Sequence, residues 1–358
     1  MRTHRDGGQL HQHERKECCG LRLRFFAVVG GLCYESRKRS VERMQTKVET
    51  SVVERSIPAR TYKRRRRRLR TGIFFMAPAL LVIGIFMLGP ALWSIYISLT
   101  NMSLTGVGAG NAEWVGLQNF QQIFRDGEFF NAFKVSLTYL VFSALIGQAV
   151  LGLLLALLMR KRNRIFKAVL GSIIIVAWVI PDVVAGFLWS AFLAGGPQSV
   201  LAPGLLNIMA TSLGRPEHAW LQEFPLQMII LANIWRGTAF SMLLYAAGLE
   251  GIPDELLDAA AVDGAGPWAR LRSIILPLLK GTIVTDLLLI TLATLSDFTL
   301  VYVLTGGSTA QTELLTIYQY RQAFQFYQIG YGSAIALLIV IVGAILSLLY
   351  IRVLRIEV

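Results

Sequence analysis

From Gly72 onward the chain alternates between long apolar runs and shorter polar connectors. Six apolar segments stand out, at about 73–99, 135–159, 165–193, 224–249, 281–305 and 329–354. Each exceeds the roughly 20 residues that a helix needs to cross about 30 Å of hydrocarbon. A backbone N–H or C=O has no water to bond inside a bilayer, so segments of this length cross as helices. The pattern predicts an all-α, polytopic membrane protein with six transmembrane helices. Pro78, Pro90 and Pro181 lie inside these segments and predict a bend or break at each. Such breaks are tolerated where neighbouring helices or a water-lined cavity bond the freed carbonyls.

Composition points the same way. Of 358 residues, 54% are hydrophobic and only 16% charged, and the mean hydropathy is +0.54; a soluble domain has about 25% charged residues. A soluble enzyme, a disordered chain and a disulfide scaffold are excluded. The net charge of +13 is concentrated in one place: residues 1–70 hold 20 Lys/Arg and 7 Asp/Glu, and residues 71–358 hold 15 of each. A pI near 10 can signal nucleic-acid binding. Here the excess sits in a block at 63–70 beside the first apolar segment, which fits membrane orientation and contact with the lipid bilayer, not nucleic acid.

Residues 1–70 form an expected basic, disordered extension, and 71–358 the expected membrane domain. The extension holds Cys18, Cys19 and Cys33, so no disulfide or metal framework supports the main body. It also holds three of the four His, namely His4, His11 and His13. Segment 21–33 is mildly apolar but interrupted by Arg22 and Arg24, a poor signal peptide. The preferred reading is that Met44 is the start and 1–43 an upstream extension without fold.

Charge on the connectors sets an expected orientation. The connectors at 63–70, 160–167, 270–280 and 352–355 carry 17 Lys/Arg, and the alternate ones carry only Arg125, Lys134, Arg215 and Arg321. The positive-inside rule then places both termini and the 250–280 connector in the cytoplasm. The three outer connectors each run over 20 residues, enough to seat another protein.

The connector at 251–277, here called the elbow, carries the clearest motif. Pro253 suits a first helical turn, and Asp254 and Glu255 favour the positive end of the helix dipole. Leu256, Leu257, Ala260 and Ala261 make an apolar stripe. Asp263-Gly264 signals a turn and Pro267 a new helix start, so the elbow is expected to be two short helices joined at 264–266. The small residues 259–261 allow a partner surface to approach closely. An ordinary amphipathic loop lying on the bilayer is the alternative that physics alone leaves open.

The ordered spacing here resembles the EAA loop of permease subunits of bacterial ABC importers. That signature is Glu-Ala-Ala, three residues, Gly, nine residues, Ile, one residue, Leu-Pro. Asp258, Ala259 and Ala260 fill the triplet, with Asp for Glu, and Gly264, Ile274, Leu276 and Pro277 follow in register. The stretches 114–120, 262–265, 304–307 and 323–334 are similar to the carbohydrate permeases of that family, with one departure at Ser308, where the family often has Pro. The resemblance covers about 70–355. It implies the type I, MetI-like permease fold in a bacterial inner membrane. It also implies an elbow that docks into a cleft of an ATP-binding subunit dimer, a second homologous permease subunit that completes the pore, and an extracytoplasmic solute-binding protein. Asp258, Ala259, Ala260, Gly264, Ile274, Leu276 and Pro277 are then the coupling residues.

No Gly-x-x-x-x-Gly-Lys-Ser/Thr phosphate loop is present, nor a His-Glu-x-x-His or Gly-x-Ser-x-Gly element. No cofactor, metal or catalytic residue is expected, and the chain reads as a transport subunit rather than an enzyme. Charges within the spans are few. Arg236 is near the middle of span four, Asp297 is in span five, Asp182 follows Pro181, and Asp286 is near the cytoplasmic end of span five. A charge at a helix centre costs roughly 2.5–3.5 kcal/mol, so such residues face a cavity or pair with each other. Two readings stand: Arg236 pairs with Asp297 to hold two spans, or Arg236, Asp297 and Asp182 line a solute path. Trp189 is a candidate for stacking on a sugar, with Trp235, Tyr245 and Phe298; helix packing is their plainer role. His218 reads as a solvated residue. The favoured function is a sugar or oligosaccharide permease of an ABC importer. Alternatives are another small solute such as glycerol phosphate or polyamine, or an ion-coupled secondary transporter, although no internal repeat supports the latter.

Overall fold

The structure, a computed structural model, describes residues 75–354 except 107, 108, 110, 111, 198, 200, 201 and 308. The extension 1–70, the three Cys, Met44 and Ser308 lie outside the described residues. Two units separate, Met1–Gly84 and Ile85–Val358.

The described residues form helices joined by irregular connectors, with isolated bridges in place of strands. Four helices are long and apolar enough to cross a membrane: α1 (Phe75–Ser98), α3 (Gly127–Arg160), α7 (Pro225–Glu250) and α13 (Ile329–Val353). A six-residue helix, α2 (Gln118–Ile123), precedes α3. Two further apolar stretches are bent helix pairs. α4 (Arg164–Val179) meets α5 (Asp182–Leu193) at 101°, and α9 (Pro267–Leu278) meets α10 (Lys280–Leu295) at 70°. Counting each pair as one span gives up to six. The shorter helices are α6 (Leu205–Ser212), α8 (Asp254–Val262), α11 (Thr299–Thr305) and α12 (Leu315–Tyr320).

Proline acts differently at each site. Ile180 precedes Pro181 and is pushed out of the helical region, to ψ 130°, because the proline ring crowds it. The third span breaks there. Pro78 and Pro90 leave α1 continuous, and a wide π turn at Gly84–Leu88 stands just ahead of Pro90. A second, Leu271–Ile275, stands just ahead of Pro277. A widened turn accommodates the missing N–H and the ring without ending the helix.

The fifth span also departs from the expected single helix over 281–305. α10 stops at Leu295, and α11 begins at Thr299. The bonds of the break run sideways. Tyr139 Oη donates to Asp297 Oδ2 (2.6 Å) and Thr316 Oγ1 to the Asp297 carbonyl (2.7 Å). A buried break keeps its polar groups satisfied in this way.

Helix packing relies on small residues. At Gly152 on α3, an added Cβ would lie 2.5 Å from Ser241 Cβ and 2.9 Å from the Met242 N of α7. Only glycine lets these two helices approach so closely. One apolar core joins Val135, Ala185, Ile229 and Leu300 from α3, α5, α7 and α11. A second joins Phe129, Tyr318, Tyr331 and Ile335. A third lies under the elbow: Ala156, Met242, Leu249, Ile252, Leu257 and Ile275. Beyond α1, Asn119 Nδ2 donates to the Ser98 and Thr100 carbonyls at 2.8 and 2.9 Å, satisfying groups a helix end leaves open.

Candidate functional site

α3 is not a plain helix. Residues Leu140–Gln148 form a π-helical stretch, and such widened turns often mark functional sites. A chain of polar side chains runs through it. Gln148 Nε2 donates to the Asn233 carbonyl (3.1 Å), Asn233 Nδ2 to Ser143 Oγ (2.8 Å), and Ser143 Oγ to the Tyr139 carbonyl (2.6 Å). Tyr139 then reaches Asp297. The chain ties α3 and α7 to the break between α10 and α11.

A cavity of about 410 Å³ opens against this network. Its polar lining includes Gln148, Asp182, Asn233, Arg236 and Asp297, and its rings are Trp178, Phe240 and Phe298. Arg236 forms an ion pair with Asp182. The structure therefore brings Arg236, Asp182 and Asp297 to one cavity, but the partner of Arg236 is Asp182 rather than Asp297. The physical reason is the break at 180–181, which places Asp182 at the start of α5. The carboxylate of Asp297 is engaged by Tyr139 instead.

The aromatic candidates divide. Phe298 lines the cavity, joined by Trp178 and Phe240, which the sequence reading did not single out. Trp189 does not line it; it packs against the core around Ala185 and meets Trp235 edge-on, with centroids 6.0 Å apart. Tyr245 is buried with Asp286 beside it.

The elbow is two helices, α8 and α9, joined through Gly264 at φ +83°. Leu257 faces the core at 4% exposure, with Ile252 and Ile275. Leu256, expected on the same apolar stripe, is instead exposed, and so are Asp258, Ala259, Ala261 and Gly264. Val262 at 89% and Trp268 at 71% are bare apolar side chains. Ile274 and Leu276 are half-buried, and Pro277 is exposed. The elbow thus has a rooted underside and an open, small-residue upper face. Arg160, at the end of α3, anchors its start: Nη2 donates to the Ile252 carbonyl (2.9 Å) and to Asp254 Oδ1 (3.1 Å). Sequence reasoning passed over Arg160 because it sits in a run of basic residues, where its role as a strut leaves no signature.

A polar cluster holds the start of α3 to α12 and α13. Asp126 caps α3 by accepting from the Glu128 N–H (2.9 Å), and it also accepts from the hydroxyls of Tyr318 and Tyr331. Burial pushes its carboxyl up, but those bonds outweigh it and hold the group below the usual range. Arg321 pairs with Glu128 and with Glu313 at 3.0 Å; burial raises Glu313, and Arg321 draws it back. His218 is not free in solvent. Its Nδ1 lies 2.8 Å from Glu223, and that contact with the Ala219 N–H lowers the Glu223 carboxyl. Asn207 ties the same turn together through His218 and Trp220.

Comparison with known proteins bears on this arrangement. The family described as "Binding-protein-dependent transport system inner membrane component" matches residues 148–356. The trehalose transport system permease protein SugA of Mycobacterium tuberculosis is 33% identical over 307 residues, which are 85% of this chain and 95% of that protein. The trehalose/maltose transport system permease protein MalF of Thermococcus litoralis is 30% identical over 303 residues, 82% and 96% respectively. Among solved structures, a bacterial alginate ABC transporter in complex with an alginate pentasaccharide-bound periplasmic protein contains a similar chain. The TM-score is 0.68 at 21% identity, covering 82% of this chain and 98% of that one.

Proposed function

The chain belongs to the binding-protein-dependent transport system inner membrane components, and from that premise we propose that it is the permease subunit of an ABC importer carrying a sugar or oligosaccharide. The observation that carries this reading is a mechanical one. The elbow exposes a small-residue face while its underside is rooted in the core shared with α3 and α7, two of the helices that wall the charged cavity.

The cavity chemistry suits hydroxylated solutes. Gln148, Asn233, Arg236, Asp182 and Asp297 offer donors and acceptors, and Trp178, Phe240 and Phe298 offer ring faces for the apolar sides of a sugar. The names of relatives that transport trehalose and maltose support the same solute class. In this reading Trp189, on α5, packs that helix against the core and against Trp235 of α7.

Membership of the family supports a set of partners. A solute-loaded binding protein docks on the outer connectors, a second permease subunit completes the pore, and an ATP-binding subunit pair grips the elbow through Asp258, Ala259, Ala260, Gly264, Ile274, Leu276 and Pro277. Closure of that pair on ATP pushes the elbow, and Arg160 and the core beneath pass the movement to α3 and α7. The path opens outward, and hydrolysis resets it. The basic connectors support an orientation with both termini and the elbow in the cytoplasm. In this reading residues 71–358 act as the permease, and the basic charge of 1–70 suits contact with lipid headgroups.

Reconstitution tests the proposal. Vesicles holding the complete assembly are given binding protein and labelled trehalose or maltose. Accumulation that requires both ATP and binding protein is expected. Accumulation driven by an ion gradient without the ATPase subunits overturns it in favour of a secondary transporter.

A further inference from the structure

A second cavity, about 540 Å³, opens at the elbow end of the helices, between the end of α3, the start of α4, the end of α7 and the first residue of α8. Its size is that of a ligand pocket, about 300–1,000 Å³. Ala168, Gly171, Ile175, Met242, Leu243 and Ala246 make its walls apolar, and its mouth carries Arg160 and Lys167. Two acids share the rim, Glu250 and Asp254. Asp254 is already engaged by Arg160, and Lys161, Arg162 and Arg164 follow in the adjoining turn, so positive charge prevails there.

Two cations at this mouth are incompletely used. Arg160 spends Nη2 on the Ile252 carbonyl and Asp254, while its Nη1 is buried with no hydrogen-bond partner among the described residues. Lys167 is half-buried and makes no ion pair among the described residues. A buried donor without an acceptor is costly and calls for one. An apolar cleft below, an idle guanidinium N–H and an ammonium above together fit an amphiphile with an anionic head. Alongside the cleft α4 exposes Ile165, Phe166, Val169 and Ile173, a face suited to hydrocarbon.

We propose that this cleft binds an anionic phospholipid of the cytoplasmic leaflet, with its phosphodiester on Arg160 and Lys167 and an acyl chain along α4 and α7. Basic pockets between membrane helices on that side suit such headgroups. The inference rests on the orientation in the proposed function. Because Arg160 also holds Ile252 and Asp254, the lipid is placed to steady the start of the elbow, and so to tune its coupling to the ATPase pair.

The test uses the complete assembly in phosphatidylcholine vesicles with and without phosphatidylglycerol. Native mass spectrometry reads the retained lipid, and ATP-driven uptake reads the consequence. The wild type should retain phosphatidylglycerol over phosphatidylcholine and take up solute faster with it present. Lys167→Gln should weaken that retention about fivefold, the effect of one basic residue at a membrane surface. Gly171→Leu leaves both cations in place but fills the cleft; an added Cβ there would touch only Met159 Cε, at 3.7 Å. It should lose the lipid as well. Inorganic phosphate at millimolar concentration should not displace the lipid. Equal retention of both lipids by the wild type, unchanged retention in either variant, displacement by phosphate, or cross-linking of Lys167 to an ATPase carboxylate each overturns the inference. ATP-driven uptake without lipid selectivity leaves the permease reading standing, whereas loss of uptake in every lipid counts against that reading itself.

Discussion

At the scale of single residues, the cavity hinges on one ion pair. Arg236 and Asp182 are about a quarter and a third exposed, so water and the cavity soften the cost of a lone charge. A fully buried pair broken on one side loses about 3–5 kcal/mol; here about 1–2 kcal/mol is expected after discounting for exposure. Arg236→Ala and Asp182→Ala should each lower the thermal midpoint of the purified assembly, and the double variant should lower it less than their sum. If Arg236 binds solute, uptake stays low in the double variant even where the midpoint recovers; recovery of both would make the pair structural only. Asp126 yields a pH prediction. Its folded pKa lies below the unfolded value near 3.8, so its stabilisation is full above that value and disappears as pH falls through the folded pKa. Asp126→Ala should cost about 1–2 kcal/mol at neutral pH, as loss of a helix cap does, and the midpoint gap to wild type should close below about pH 3.8. Glu313, raised by burial, works with the opposite sign: it is less unfavourable as pH falls. The charged residues of the cavity were legible in the sequence as charges out of place. Their pairing was not, because position along a helix says nothing of azimuth once the helix breaks, as it does between Val179 and Asp182.

At the scale of elements, the elbow shows what spacing can reveal. Pro253 before Asp254, the turn at Asp263-Gly264 and the restart at Pro267 each fix a backbone state locally, so two helices and the turn between them could be read directly. Gly264 sits at φ +83° with nothing within 4 Å of an added Cβ. Gly264→Ala therefore strains the joint by about 1–2 kcal/mol without a clash. It should lower the thermal midpoint only modestly and leave the assembly able to form, while ATP-driven uptake falls sharply. Gly152→Val is the contrast: it drives α3 and α7 apart, and the assembly itself should fail to accumulate, as seen by size-exclusion chromatography. A Gly264→Ala variant with wild-type uptake would show that the shape of the joint does not matter to coupling. The breaks at 180–181 and 296–298 were only half legible. Pro181 announces the first, since it acts on its neighbour. The second depends on a tyrosine from α3 and a threonine from α12, contacts far away in sequence. Hydropathy reports that a segment is apolar, and an apolar segment reads alike whether its helix runs straight or turns.

At the scale of the whole molecule, the irregularities coincide. The π stretch Leu140–Gln148, the bend before Asp182 and the break around Asp297 each supply lining or support to the one cavity. Straight helices would bury their carbonyls in their own ladders; interrupted ones present polar groups sideways and can change angle at little cost. The bend at Pro181 is the simplest of these to test, because its cause is one ring. Without it Ile180 is released from the restriction that proline imposes, residue 181 regains an N–H, and α4 and α5 can run together as one helix. Pro181→Ala should thus reduce the 101° bend and carry Asp182 away from Arg236. Ile173 on α4 and Phe187 on α5 are both well exposed, so spin labels there report the angle without disturbing the core. A longer distance between the labels together with lost uptake in an assembled complex is the expected result. An unchanged distance would mean that the packing of α5 on α11, where Gly186 admits Val303, holds the bend by itself, and the proline only marks the place.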